Sequence, residues 1–242
     1  MKAKYHIFIT TLLPLLVSCS WISEYMTGDT VTVKHNLSGF VDRIDVKGSF
    51  HIIMIQDTVS YALVTCPNKI QEDVEVNLSN FRLYIHEHVG IRWMKNYPII
   101  EVEIHMAYLP MIEAHQPCKL SIPSIFKSHA FYLVDWGNYV DCNINVDVVH
   151  LVLSVSGESF GTYRVAGKAE YAHLHARGVS VFDLSEVKIK YCKAYQNSVS
   201  DMHIWVEESL NLSILESGNV LLKGNPHIEL AQMGTGKLIS DE

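Results

Sequence analysis

Two His-X-His motifs, His86-Glu87-His88 and His173-Leu174-His175, are the most metal-like features of this chain. Residues two apart on a strand share a face, so each motif sets two imidazoles side by side. Zinc needs further N, S or O donors, and these must come from a neighbouring strand. One repeat away from His173 and His175 stand Val152 and Ser154 on one side, Lys193 and Tyr195 on the other. None is a good ligand, and Lys193 repels a cation. For His86 and His88 the sequence identifies no partner. Both motifs are therefore read as solvated strand faces, and no metal or other cofactor is expected.

A second arrangement suits acid–base chemistry. Asp183, His203 and Lys223 recur twenty residues apart, after Cys142 and Thr162 at the same phase. On stacked strands ~5 Å apart they form a ladder of the kind a polysaccharide lyase or hydrolase uses. Such ladders are more often ion-paired, solvated edges. No Ser–His–Asp set, phosphate-binding Gly loop or Cys–His pair at recognisable spacing accompanies it. No catalytic residue is expected.

The first residues form a targeting segment. Lys2 and Lys4 precede an apolar run from Ile7 to Val17, too short for a span of ~20 residues but suited to a signal peptide. It ends at Leu16-Val17-Ser18-Cys19, which resembles the lipobox of bacterial lipoproteins. That resemblance implies cleavage after residue 18, a lipid on Cys19, and an anchor and linker over 19–37. Cys66, Cys118, Cys142 and Cys192 remain in the mature chain. They allow three pairings, among which sequence cannot choose, and they are read as unpaired. The formal charge of −7 lies in no acidic or basic block, so no nucleic-acid partner is expected.

The elements that would position any site are strands. Over 38–110 the pattern alternates with period two and reads as an antiparallel region or cap: Val41–Val46, Phe50–Ile55, Ser60–Thr65, Glu72–Asn77, Phe81–His86 and Ile99–Met106. Gly90 to Asn96, with Trp93, reads as a loop. Over 111–242 a repeat takes over. Small residues recur at Gly137, Gly157, Gly178, Ser198, Gly218 and Gly234, at spacings of 20, 21, 20, 20 and 16. A fixed period in this range marks a solenoid.

Six and four positions before each marker stand Phe131 and Leu133, Leu151 and Leu153, Ala172 and Leu174, Cys192 and Ala194, Leu212 and Ile214, Ile228 and Leu230. All are apolar, whereas the residues between them are mixed. The first set should stack inward, rung on rung, with Cys192 a buried and unreactive thiol. A glycine at the marker supplies positive φ for a tight corner. The fold class is therefore all-β, a parallel β-helix-like solenoid of about twenty-residue rungs preceded by antiparallel strands. On its outside, Tyr132, Trp136, Tyr139, Tyr195 and Trp205 are the candidate surface contacts, because exposed aromatics on a rigid face suit sugar or protein ligands.

These residues also carry a family resemblance. Gly39 to Phe50, the run Asp73-Val74-Glu75-Val76 to Leu83-Tyr84-Ile85, the turns Ser156-Gly157-Glu158-Ser159 and Ser217-Gly218-Asn219-Val220, and the late Gly224-Asn225-Pro226 resemble the auto-transporter adhesin, head GIN domain family of exported Bacteroidetes proteins. The resemblance spans roughly residues 38 to 239. Ala176-Arg177-Gly178, Gln196-Asn197-Ser198 and Asp135-Trp136-Gly137 depart from its Ser-Gly turns. It implies a right-handed β-helix-like fold, lipid attachment in the cell envelope at the outer membrane, and a non-enzymatic adhesive role. Expected partners are the membrane through the lipid, a glycan or protein ligand, and a second copy of the chain. The alternatives are a carbohydrate-active enzyme centred on Asp183, His203 and Lys223, or a periplasmic structural protein.

Overall fold

The computed structural model describes residues 29–88, 98–137 and 139–240. Cys19, the signal segment 1–18 and the loop 90–96 with Trp93 lie outside these residues. Strands β1 (Thr30–Asn36), β2 (Arg43–Lys47), β3 (Phe50–Gln56) and β4 (Tyr61–Pro67) are followed by a 3-10 turn, Asn68–Asp73. Then come β5 (Val74–Ser79), β6 (Arg82–Glu87), β7 (Ile100–Met106) and β8 (Met111–Ala114). Five long strands succeed them: β9 (Cys118–Asp135), β10 (Val140–Val155), β11 (Thr162–Gly178), β12 (Val181–Ser198) and β13 (Met202–Ile214). The chain ends in β14 (Val220–Lys223), β15 (His227–Gln232) and β16 (Leu238–Ser240).

From β9 to β16 every pairing is parallel, so each rung lies on the one before. Each long strand carries two inner faces of a rung. Bulges interrupt the register near its middle, for example at Ile144/Val146 and Arg164/Ala166, and there the chain bends from one sheet into the next. Antiparallel pairs do occur at the start, β1–β4–β7 and β5–β6. Yet the solenoid begins earlier than residue 111: β2 pairs in parallel with β6 and β8, and β3 with β7 and β9. Two short strands either side of a turn make the same rung that one bent strand makes later. β1 falls within the stretch read as linker and forms the outer edge beside β4.

The inward columns fill the interior. Phe131, Leu133, Leu151, Leu153, Ala172, Leu174, Cys192, Ala194, Leu212 and Ile214 are all buried. Each large one contributes about 1.5–3 kcal/mol relative to exposure. Ile228 and Leu230 are the correction: they face inward in register with Leu210 and Leu212, yet stand 40% and 46% exposed. No rung lies beyond β15 to cover them among the described residues. Cys66, Cys118, Cys142 and Cys192 are buried free thiols. Burial pushes Cys118 and Cys192 up to about 12, which leaves them little thiolate for reaction.

The corners need small residues for two different reasons. Gly157 and Gly178 do have positive φ, +77° and +67°, as expected. Gly137, Gly218 and Gly234 do not. There a side chain would instead meet backbone of the rung before, with a Cβ 2.6 Å from the Gln116 nitrogen, 2.1 Å from the Ser200 oxygen and 2.2 Å from the Glu216 oxygen. Ser198 is itself buried, its hydroxyl donating to the carbonyls of Gly178 and Ser180.

One feature of the twenty-residue register is corrected. In the second halves of β9 to β12 the rungs advance by 20 or 21 residues, as in Leu151↔Phe131, Leu151↔Ala172 and Ala172↔Cys192. Between β12 and β13 the step falls to 18: Cys192 pairs with Leu210, not Leu212. The next step is also 18, so Leu212 pairs with Leu230. The bend of β13 is shorter, Leu184/Lys188 facing Ile204/Trp205, and the turn that follows matches the one before it, Ile214 to Val220 lying over Gln196 to Met202. Gly218, twenty residues after Ser198 in the chain, therefore lies over Ser200, whose carbonyl oxygen is 2.1 Å from a Cβ built on it. A two-residue slip leaves every side chain on its original face, so the core is unaffected.

A buried polar hub closes the corner after β9. Asp135 is fully buried. It accepts hydrogen bonds from the Tyr163 hydroxyl at 2.6 Å, the Ser159 hydroxyl at 2.9 Å and the Gly137 amide at 2.8 Å. The Ser159 hydroxyl in turn accepts from the Gly161 amide at 3.0 Å. Two consecutive corners, after β9 and after β10, are thus tied to one side chain.

Candidate binding face

The second half of each long strand presents an outer face whose columns follow from the register. One column runs Ala130, His150, Tyr171, Tyr191, Ser209, His227. The next runs Tyr132, Val152, His173, Lys193, Asn211, Glu229. The third runs Val134, Ser154, His175, Tyr195, Ser213, Ala231.

In the first column His150, Tyr171 and Tyr191 form a ladder of rings, and His129, next to Ala130 in the chain, extends it. His129 meets His150 edge-on at 5.3 Å between centroids. His150 stacks on Tyr171 at 5.4 Å, and Tyr171 on Tyr191 at 5.2 Å, each pair inclined by 22°. These are favourable offset stacks, yet Tyr171 and Tyr191 remain 44% and 39% exposed. Beside them Tyr195 packs against His173 at 5.7 Å and His175 at 5.6 Å. Burial, then the charges of Lys193 and Arg177 respectively, holds these two imidazoles below their ordinary range. The shift favours their neutral form. As the sequence order required, Lys193 and Tyr195 are the neighbours of His173 and His175.

Across the bend, Val149, Glu170 and Lys190, which immediately precede the ladder residues, line an open groove of about 760 Å³. Lys127, Lys168 and Lys188 also line it, among Asp147 and Glu207. Rings that stack, with ammonium groups alongside, can hold a ligand that has flat or CH-rich faces and some negative charge.

The five aromatics singled out from sequence do not converge. Tyr132 and Tyr195 share the outer face but lie in neighbouring columns three rungs apart, ~14 Å by strand spacing. Trp136 and Tyr139 stand at the corner between β9 and β10, 50% and 45% exposed. Tyr139 borders a small recess with Ile99, Pro117 and Lys119. Trp205 is on the first half of β13, where Lys188 and Lys223 lie 4.7 and 4.1 Å from its ring centroid. The ladder itself was missed. Its signal was present, since residues 150, 171 and 191 keep the repeat period one position before the inward column.

The acid–base ladder is corrected by the same register. Asp183 and His203 are in register, but His203 is followed by Leu221, and Lys223 pairs with Trp205. The Asp183 carboxylate is held by the Ser185 hydroxyl at 2.7 Å and its amide at 3.3 Å. The three groups proposed for acid–base work are not one stack.

Fold and face together define a β-solenoid, in which a rigid stack displays repeated side chains along one side. The chain belongs to the family described as "Putative auto-transporter adhesin, head GIN domain", whose model matches residues 41–226. Solved structures share the fold. A Bacteroides fragilis protein described as a putative adhesin is 18% identical, with a TM-score of 0.74 over 88% of this chain and 97% of that one. A Parabacteroides distasonis putative adhesin is 12% identical, with a TM-score of 0.68 over 88% and 98%. A Parabacteroides distasonis protein described as a putative lipid binding protein is 16% identical, with a TM-score of 0.64 over 89% and 99%. Comparison with curated proteins gives no match. The family description fits a non-enzymatic binding role and an extracellular or envelope setting. Among the described residues no helix is long and apolar enough to cross a membrane.

Proposed function

We propose that this chain is a lipid-anchored cell-envelope adhesin that binds an extended ligand, a glycan above all, along the outer face of its second sheet. The observation that carries this reading is the exposed His150–Tyr171–Tyr191 ladder, flanked by the lysine-lined groove. Its ring spacing is set by the rungs and needs no ordering on binding, which lowers the entropic cost of association. A lipid, as the description of one structural neighbour suggests, would have to bind on this outside, because the inward positions are filled by packed side chains.

Glycan-array binding by the chain is the direct test. Replacing Tyr171 and Tyr191 together by Ala should weaken binding by about tenfold or more, since each lost aromatic contact removes ~1 kcal/mol. Undiminished binding by that double variant would remove the ladder from the reading, and turnover of a bound glycan would replace adhesion with catalysis.

Attachment through Cys19 has its own test. Cells expressing the chain and fed a labelled fatty acid should label it and retain it in the membrane fraction. Cys19→Ser should abolish both, because the attached acyl chains supply ~0.8 kcal/mol of membrane affinity per buried CH₂. A labelled Cys19→Ser protein would place the lipid elsewhere.

A further inference from the structure

The outer face of β5, β6 and β2 gathers titratable groups that the binding face does not use. The hairpin β5–β6 puts Glu75 opposite His86, and His88 continues the same face beyond the strand end. The His88 Nε2 lies 2.9 Å from the Glu75 Oε2, and the His86 Nδ1 lies 3.8 Å from the same oxygen. One donor atom from each of the three residues falls within 4.8 Å of the others. Donors around a tetrahedral zinc, with bonds of ~2.0–2.2 Å, stand about 3.4 Å apart. The observed spacings straddle that value, and His88, more than half exposed, is free to close the remaining gap.

The second observation is behind His86. Its other ring nitrogen, Nε2, lies 2.9 Å from the Asp45 Oδ1, and Asp45 is buried. A ligating imidazole whose far N–H donates to a carboxylate is fixed in tautomer and orientation and made a better donor. Here that support is already in place. Glu75 is steadied by Asn77, whose amide donates to Oε1 at 3.5 Å.

We propose that Glu75, His86 and His88 form a surface site for a zinc-like divalent cation, with Asp45 as the residue that positions His86. Two histidines and a carboxylate occupy three positions and leave the fourth open to water or a ligand. Lys47, in register with His86, directs its ammonium to the Asp45 Oδ1 at 3.7 Å, and Arg82 reaches the Asp45 Oδ2 at 3.0 Å. These cations are offset by Asp45 and by Glu113, to which Arg43 and Arg82 also reach. The neighbouring group Asp45, Glu113 and His115 is a poorer candidate, because both of its carboxylates are engaged by those arginines.

The test is titration of the whole chain with Zn²⁺ against a chromophoric chelator, and with Co²⁺ read by its tetrahedral visible absorption. The expected result is one bound equivalent, weakened about tenfold or more by His88→Ala and by Glu75→Gln. Asp45→Asn should weaken it by about 10–100-fold, whereas His173→Ala/His175→Ala should leave it unchanged. His88 is exposed, so His88→Ala retains the fold, which circular dichroism verifies. Absence of binding overturns the proposal. So does binding that survives His88→Ala and Glu75→Gln, or that disappears with His173 and His175.

Discussion

Replacing Asp135 by Ala should lower the stability of the chain by about 3–5 kcal/mol, read as a fall in the urea midpoint at unchanged slope. Three donors converge on this buried carboxylate: the Tyr163 and Ser159 hydroxyls and the Gly137 amide. Tyr163 is itself almost fully buried, so its hydroxyl has no water to turn to once the acceptor is gone. Leaving a buried donor unsatisfied costs about 1–3 kcal/mol, and the three losses are coupled rather than additive. Burial, with Asp135 beside it, pushes the Tyr163 phenol far up, which keeps it a donor throughout the ordinary pH range. Asp135→Asn retains one acceptor oxygen and should cost about half as much. An Asp135→Ala midpoint equal to that of the unsubstituted chain would show that the hub contributes nothing.

Gly167→Val should be comparably severe, at about 3 kcal/mol or more. Gly167 lies at the bend in β11, with φ of +114°. A Cβ built there comes within 2.0 Å of the Val146 carbonyl oxygen on the rung beneath. The backbone conformation and the contact each exclude a side chain, and the obstructing atom is backbone, which cannot move without opening the β10–β11 ladder. Gly39 separates the two effects. Its φ is +132°, but a Cβ there would meet only Leu78 at 3.7 Å. Gly39→Ala should therefore show the conformational cost alone, about 1–2 kcal/mol. Equal losses at the two positions would mean that close rung packing adds nothing at Gly167.

Gly167 also shows where the sequence was legible and where it was not. The corner glycines announce themselves by recurring at the repeat period, and Gly157 and Gly178 fulfil the conformational role read for them. Gly167 falls inside a strand pattern, off that period, and its need arises from contact with another rung. The His150–Tyr171–Tyr191 ladder had the period but occupies an outward column. Outward columns carry no uniform hydrophobic signature, so nothing separates them from solvated positions until rung follows rung. The third donor beside His86 and His88 was hidden for a different reason. Glu75 is eleven residues from His86, and only the β5–β6 hairpin register sets the two opposite each other.

For the rungs themselves, the division follows from the period of a strand. Alternation of apolar and mixed residues is local, and it determined that the chain would stack parallel rungs with Phe131, Leu153, Leu174 and Ala194 inside. A strand of period two is blind to a slip of two residues, since every inward side chain stays inward. The 18-residue step from Cys192 to Leu210 was therefore decided by how the bend of β13 packs against β12. With it was decided whether Lys223 would stack on His203 or on Trp205. The lengths of bends and turns are set by contacts between rungs. They moved a charged group by one side-chain position and removed an acid–base ladder without disturbing a single core residue.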